Sequence, residues 1–209
     1  MSLIRSCKLA LLVLPVIALG CSNGEDAPTD PGNGGGDGAI VTDHTEPLEF
    51  LNAFVRAWNE KDFDALAALL HEDFEFKPIA DDEFPWIPEG GWNRGIELGV
   101  AANMFNPNFI SEDTGEGVDT IEIALNILNQ RTIDVDGQSR LEITADMDAT
   151  VLWAQGDGAT SDVRAVFHLV LDENDYYRMI LMREFDPVLA PGRSVEASTW
   201  GSVKNLYRS

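Results

Sequence analysis

Residues Leu48 to Phe76 read LEFLNAFVRAWNEKDFDALAALLHEDFEF, and this stretch decides the fold. Apolar residues recur at spacings of three and four from Leu48 to Trp58, which predicts an amphipathic helix with one broad apolar face. After the interruption at residues 59–61, Asp62 is placed to cap a second apolar helix. Phe74-Glu75-Phe76 then alternates as a strand does. A helix pair this apolar predicts that the rest of the chain supplies a sheet.

Four later segments supply that sheet through a two-residue alternation of apolar and polar positions. The first, around Ile121 to Ile127, also fits helical spacing, but its β-branched residues favour a strand. Asp136-Gly137 is a hairpin signal, and Gly156-Asp157-Gly158 is a second turn. The other three strands are predicted at residues 141–154, 161–172 and 176–186, and further helices at residues 95–105 and 198–207.

The order helix, helix, strand, loop, helix and four long strands resembles the nuclear transport factor 2-like fold. The opening stretch FLNAFVRAWNEKDFDALAALLHEDFEF resembles polyketide-cyclase-like and ketosteroid-isomerase-like members, and the strand YRMILMRE is similar to that family's closing strand. The resemblance covers residues 45–187. It implies an α+β fold, a cone-shaped barrel with three helices packed on a strongly curved antiparallel sheet.

Two other stretches, GWNRGIELGVAANMFNPN and WGSVKNLY, resemble uncharacterised bacterial lipoproteins of this fold, which implies no activity. Enzymes of the superfamily use a carboxylate or histidine base beside a deep apolar pocket. The isomerase-like tyrosine has no counterpart here, since its place falls near Trp58 or Phe54. Fold alone therefore assigns no function.

The first 20 residues form a signal peptide, with Arg5 and Lys8 ahead of an apolar run. The sequence IALGC at its end resembles a bacterial lipobox, which predicts that Cys21 is acylated and anchors the protein to a membrane. The alternative is an ordinary secretory leader cleaved nearby. Ser22 after the cysteine favours the outer membrane. A flexible Gly/Pro/Asp-rich tether (21–44), the cone domain (45–187) and a C-terminal extension with a short helix (188–209) follow.

Composition narrows the range of partners. The chain has 36 acidic and 14 basic residues and a net charge of −22, which argues against nucleic acid and against electrostatic adsorption to anionic lipid. The acidic run Asp81-Asp82-Glu83 lacks the alternation and glycine turn of a calcium loop. We therefore predict no metal and no cofactor.

One polar constellation has the residue types of an acid–base site. On the strands at 141–154 and 161–172, the polar stripe carries Asp146, Asp148, Arg164 and His168. Two registers around the Gly156–Gly158 turn place either Asp146 or Asp148 opposite His168, with the other aspartate diagonal. A histidine held by a carboxylate, with its pKa raised, is a candidate general base. The alternative is a ladder of complementary charges on a half-solvated sheet face.

Large aromatic residues are the candidates for ligand contact. The loop between residues 78 and 94 carries two tryptophans that either cover a pocket or plug the open end of the core. Together with Arg164, the ligand-binding candidates are Trp58, Trp86, Trp92 and Trp153.

Two functions of different class remain open. The first is a non-catalytic envelope lipoprotein whose cone domain binds an apolar small molecule or a protein partner, with a homodimer through the sheet as a further expectation. The second is a cofactor-independent isomerase, dehydratase or cyclase. A cone filled by its own Trp and Phe side chains favours binding; an apolar pocket containing His168 favours an enzyme.

Overall fold

The computed structural model describes residues 39–79, 91–185 and 199–208, which belong to one compact unit, Gly38–Ser209. The predicted α+β cone class is confirmed, because helices and one face of a six-stranded sheet share a single apolar core. Cys21, Trp86 and the acidic run at 81–83 lie outside the described residues.

The elements are α1 (Pro47–Asn59), α2 (Phe63–Leu69), β1 (Leu70–Lys77), β2 (Trp92–Asn93), α3 (Arg94–Phe105), β3 (Val118–Val135), β4 (Gln138–Trp153), β5 (Gly158–Leu171), β6 (Tyr177–Phe185) and α4 (Trp200–Asn205).

The sheet has the strand order β2-β1-β6-β5-β4-β3 and is open among the described strands. It differs from the predicted antiparallel sheet because β1 runs parallel to β6, with Phe76 beside Met182. It also contains β2, which lies in the stretch predicted to be loop and which pairs with β1. The other neighbours are antiparallel. A parallel neighbour needs a long crossover, and here the chain passes through α3 and four other strands, β2, β3, β4 and β5, between β1 and β6. The sheet is therefore mixed.

The opening helices form as the sequence predicts. Pro47 occupies the first turn of α1, where its missing N–H removes no helical hydrogen bond. Asp62 caps α2 by accepting a hydrogen bond from the Ala65 N–H at 2.9 Å. The ring of Phe54 on α1 packs edge-on against Phe167 of β5, with centroids 6.1 Å apart. This contact shows which face of the sheet carries the helices.

The long strands are joined by tight turns and bent by irregular pairing. Asp136 and Gly137 take positive φ values of 55° and 79° between β3 and β4, which confirms the predicted hairpin. The pairing shifts register between Ile127 and Asn129 in β3, and again after His168 in β5. Such extra residues bend and twist a strand, so the sheet can wrap around the helices. The segment at Ile121 lies in β3 and is a strand, as predicted.

Helix α4 completes the core rather than lying on its surface. Trp200, Lys204 and Tyr207 are fully buried. Its N-terminus is capped by Thr199, whose hydroxyl accepts a hydrogen bond from the Ser202 N–H at 3.0 Å. Within the described ranges, no helix has the length and apolar character needed to cross a membrane.

Candidate functional site

The predicted polar constellation lies on the outer face of the sheet, which we define as the face opposite the helices. Ile143, Ala145 and Met147 of β4 are buried in the core, and successive side chains of a strand point to opposite faces. His168 follows Phe167, which packs on α1, so the imidazole points away from the cone interior. The sequence could not reveal whether the apolar or the polar stripe of these two strands faces the core. In the structure the apolar stripe does.

The predicted pairing of His168 with Asp146 or Asp148 is wrong. His168 is opposite Glu142, and Asp146 is opposite Arg164. The reason is the position of the turn: Gly156 takes the positive φ of 94°, and the strands already pair at Leu152 and Gly158. The turn between β4 and β5 is therefore centred earlier in the sequence than either predicted register requires. The observed register differs from both by an even number of residues, so each stripe stays on its own face of the sheet.

Two separate clusters of charged and polar side chains are described on this face. His168 Nε2 lies 3.3 Å from Glu142 Oε2, and the same carboxylate accepts a hydrogen bond from Arg131 Nε at 2.6 Å. Arg164 donates to Asp146 Oδ1 from both Nε, at 3.0 Å, and Nη2, at 2.8 Å. The predicted base and Asp146 thus belong to separate pairs.

The remaining candidate carboxylate lies apart from His168. Asp148 is exposed and lies opposite Asp162 in the register. A catalytic role for Asp146 or Asp148 through His168 has no geometric support here. What the outer face displays is the ladder of charges that the sequence allows as an alternative.

The protonation of His168 is governed first by burial. Its side chain is only 13% exposed, and burial lowers the pKa of His168, partly offset by the Glu142 carboxylate and reinforced by Arg140 and Arg183. The Arg131 hydrogen bond holds the pKa of Glu142 below its usual range. The expected rise in the pKa of His168 is therefore reversed, because desolvation outweighs the carboxylate.

This direction predicts a pH dependence of stability. With the folded pKa below the unfolded value of about 6.5, the unfolded chain binds more protons in that window, so stability rises with pH there. Relative to His168→Gln, we expect the native protein to lose stability as pH falls from about 7 to about 5. Urea unfolding of both proteins at several pH values measures the difference. A relative gain on acidification would instead show that the imidazolium–Glu142 pair dominates.

A cavity of about 500 Å³ opens beside His168 on the outer face. We call it the outer-face trough. Arg140 and Arg183 lie in its wall next to His168, and no carboxylate among the described residues lies within ion-pair distance of either guanidinium. The Arg140 Nε and His168 Nδ1 atoms are buried without a hydrogen-bond partner in the described chain. Asp73, Glu75, Lys77 and Asp136 also line the trough, and Lys77 is bound to Glu75 at 3.0 Å.

Two of the four tryptophans proposed as ligand contacts are core residues. Trp58 is fully buried, with its ring edge-on to Phe105 at 5.1 Å and Trp200 at 5.2 Å. Trp92 stacks on Phe76 at 4.5 Å, and it plugs the core as the second reading of its loop proposes. Trp153 is partly buried at the end of β4. Ligand contact by these residues, and by Arg164, stays a prediction.

The cone interior contains an ion pair that sequence reasoning missed. Lys204 Nζ on α4 donates to both carboxylate oxygens of Glu97 on α3, at 2.9 and 3.0 Å. The two side chains are 0% and 2% exposed. Trp92 Nε1 also donates to Glu97, at 2.6 Å. Burial lowers the pKa of Lys204, while Glu97 and Glu184 act in the opposite direction.

Aromatic rings surround the Lys204 ammonium. Nζ lies 3.5 Å from the centroid of Phe76, 5.2 Å from Trp92, 5.6 Å from Trp200 and 5.9 Å from Trp58. Distances up to about 6 Å allow cation–π attraction. We call these four rings with Glu97 the aromatic cage.

Helix α4 and the turn that follows it are each held in this position by a hydrogen bond. The Gly201 N–H donates to Glu184 Oε2 at 3.2 Å, and Asn103 Nδ2 donates to the Tyr207 carbonyl at 2.8 Å. A Cβ at Gly201 would lie 2.9 Å from Pro78 Cβ, so only glycine allows this close approach. The interior is thus closed by the chain's own side chains at α4.

No protein-family model and no curated protein sequence matches the chain. Solved structures with similar folds include a nuclear transport factor 2-like superfamily protein from Salmonella enterica serovar Typhimurium (14% identity, 69% of this chain and 92% of that chain, TM-score 0.44). Another is ActVI-ORFA from Streptomyces coelicolor (14% identity, 68% of this chain and 95% of that chain, TM-score 0.45).

A third similar structure is a hexachlorocyclohexane dehydrochlorinase, LinA type 2 (9% identity, 72% of this chain and 89% of that chain, TM-score 0.42). The described residues form an α+β fold in which a mixed six-stranded sheet packs against helices. At this level of identity and superposition, none of these proteins assigns a function to the chain.

Proposed function

We propose that this chain is an envelope lipoprotein, anchored through Cys21 to the outer membrane, whose cone domain binds a protein partner without catalysing a reaction. An acidic group of the partner would enter the outer-face trough. One observation carries the proposal: the interior at α4 is filled by the protein's own aromatic side chains, whereas two arginines in the open trough have no acid partner in the described chain.

The filled interior argues against a resident apolar ligand at this position. Trp58, Phe76, Trp92 and Trp200 are 0–2% exposed and contact one another or Lys204. A small-molecule site needs concave space lined by apolar groups. Among the proposed ligands, a protein partner on the outer surface fits this arrangement better than an apolar molecule inside.

The charges of the trough favour a carboxylate. The whole chain has a net charge of −22, and Asp73, Glu75 and Asp136 also line the trough. Even so, no carboxylate of the described chain lies within ion-pair distance of Arg140 or Arg183. Hydrogen bonds from guanidinium to carboxylate are among the stronger ones in proteins. A carboxylate in the trough would satisfy the buried Arg140 Nε that now has no acceptor in the described chain.

Titration with a short poly-glutamate peptide tests this site. We expect binding to the native protein and about a tenfold or greater loss of affinity in Arg183→Gln, since a charge-assisted hydrogen bond contributes roughly 1.5–3 kcal/mol. The matched control is Arg56→Gln, which removes the same charge from α1, where Arg56 pairs with the exposed Glu60. Calorimetry measures all three affinities. Equal losses in both variants, or no binding to the native protein, would contradict the site.

A cofactor-independent isomerase, dehydratase or cyclase is the second candidate, because His168 lies beside Glu142 in the wall of the trough. In that reading His168 is the general base, oriented by Glu142. Turnover of any substrate that His168→Gln abolishes, with the thermal melt unchanged, would support the enzyme over the binding protein.

A further inference from the structure

Lys204 occupies the aromatic cage in the manner of a bound ligand. The walls Trp58, Phe76, Trp92 and Glu97 come from α1, β1, β2 and α3. Only the ammonium group and Trp200 come from α4. The cage is thus built largely by elements other than the helix whose cation it holds.

The chemistry of the cage is that of ammonium recognition. Rings that present their faces to a cation, together with a buried carboxylate, are the means by which proteins hold alkylated ammonium ligands. A buried ion pair offers no stability advantage over apolar residues of similar volume. Packing alone would be served as well by apolar residues at both positions 97 and 204, so the pair of charges indicates selectivity for a cation.

The cage also contains donors that α4 leaves unsatisfied. Trp58 Nε1 and Trp200 Nε1 are buried and have no acceptor among the described residues. Buried indole N–H groups usually find a partner. Trp58 belongs to the cage wall and is fully buried, so a guest with an acceptor atom beside its ammonium group would find a donor already in place.

We propose that the aromatic cage is a binding site for a small organic cation with an alkylammonium head, and that Lys204 is the internal occupant that such a ligand replaces when α4 withdraws. This site is separate from the outer-face trough and does not depend on it. Lys204 of α4 then competes with the ligand for the cage.

Cavity complementation in the full chain tests the selectivity of the cage. Lys204→Ala removes the aminoalkyl group, and n-propylammonium chloride restores it from solution. At a concentration about ten times the dissociation constant, we expect the melting temperature to rise by about 3–6 °C over equal sodium chloride. No rise is expected with n-propanol, in Lys204→Met, or in Lys204→Ala/Glu97→Gln. An equal rise with n-propanol, or one that survives Glu97→Gln, would overturn the proposal.

Chemical labelling of the native chain tests the displacement, and it decides alone if Lys204→Ala does not fold. Acetylation by N-hydroxysuccinimidyl acetate, followed by peptide mass spectrometry, reports the exposure of each lysine. Tetramethylammonium chloride should increase labelling of Lys204 several-fold over equal sodium chloride. Labelling of Lys77, whose side chain is 33% exposed, should stay constant. Unchanged labelling of Lys204 would overturn the proposal.

Discussion

Replacing Lys204 with methionine should lower the free energy of unfolding by about 3–5 kcal/mol. Methionine fills a similar volume, so the loss arises from charge rather than from a cavity. The Glu97 carboxylate, 2% exposed, would remain in the core without its cation. Breaking a buried pair from one side is costly because the remaining charge is still desolvated. Urea unfolding of native and variant protein measures the change.

The double variant Glu97→Gln/Lys204→Met separates the pair from its surroundings. We expect it to recover most of the stability, since removing both charges leaves no uncompensated ion and glutamine still accepts from Trp92. Lys77→Met is the surface control, with an expected change of about 1 kcal/mol or less. A double variant as unstable as the single one would mean that Lys204 contributes through packing and that the charge on Glu97 is not the cause.

Replacing Cys21 with serine should move the protein from the membrane fraction to the soluble fraction and abolish labelling by a clickable fatty acid. Serine offers no thiol for the lipid. Stable attachment needs more than one acyl chain's worth of apolar contact, and Cys21 is the predicted site of that lipid. Fractionation of cells expressing each variant measures the change.

The leader contains a matched control for that experiment. Cys7→Ser changes the other cysteine, which lies in the signal peptide between Arg5 and Lys8, and should leave the protein in the membrane fraction. Unchanged partitioning of Cys21→Ser would show that the anchor prediction is wrong. An equal release in both variants would point to a general export defect.

The fold was predictable because periodicity is a local property of the sequence. The spacing from Leu48 to Trp58 and the alternation in β4 and β5 each require only neighbouring residues, and the elements appear as predicted. The partner of His168 was not predictable in the same way. That partner depends on which residue of the Gly156–Gly158 turn takes the positive φ. Any two registers of β4 against β5 that differ by an even number of residues keep the same stripes inward, so the apolar pattern cannot choose between them.

The aromatic cage escaped prediction because its two charges are distant in sequence. Each nevertheless lies in an apolar stripe at helical spacing: Glu97 precedes Val100, Ala101 and Met104, and Lys204 follows Trp200 and Val203. A charge in such a stripe is a signal that a partner of opposite sign is buried nearby. Two such residues in one chain could have been paired with each other. The sign of the His168 pKa shift, by contrast, required the burial of that side chain.

The separation of 107 residues between Glu97 and Lys204 also has a kinetic consequence. The β3–β4 and β4–β5 hairpins join neighbouring parts of the chain, whereas this contact requires a far longer loop to close, at a greater entropic cost. Interactions that form after the folding transition state affect the unfolding rate alone. In a chevron plot, Lys204→Met should therefore accelerate unfolding and leave the refolding rate almost unchanged.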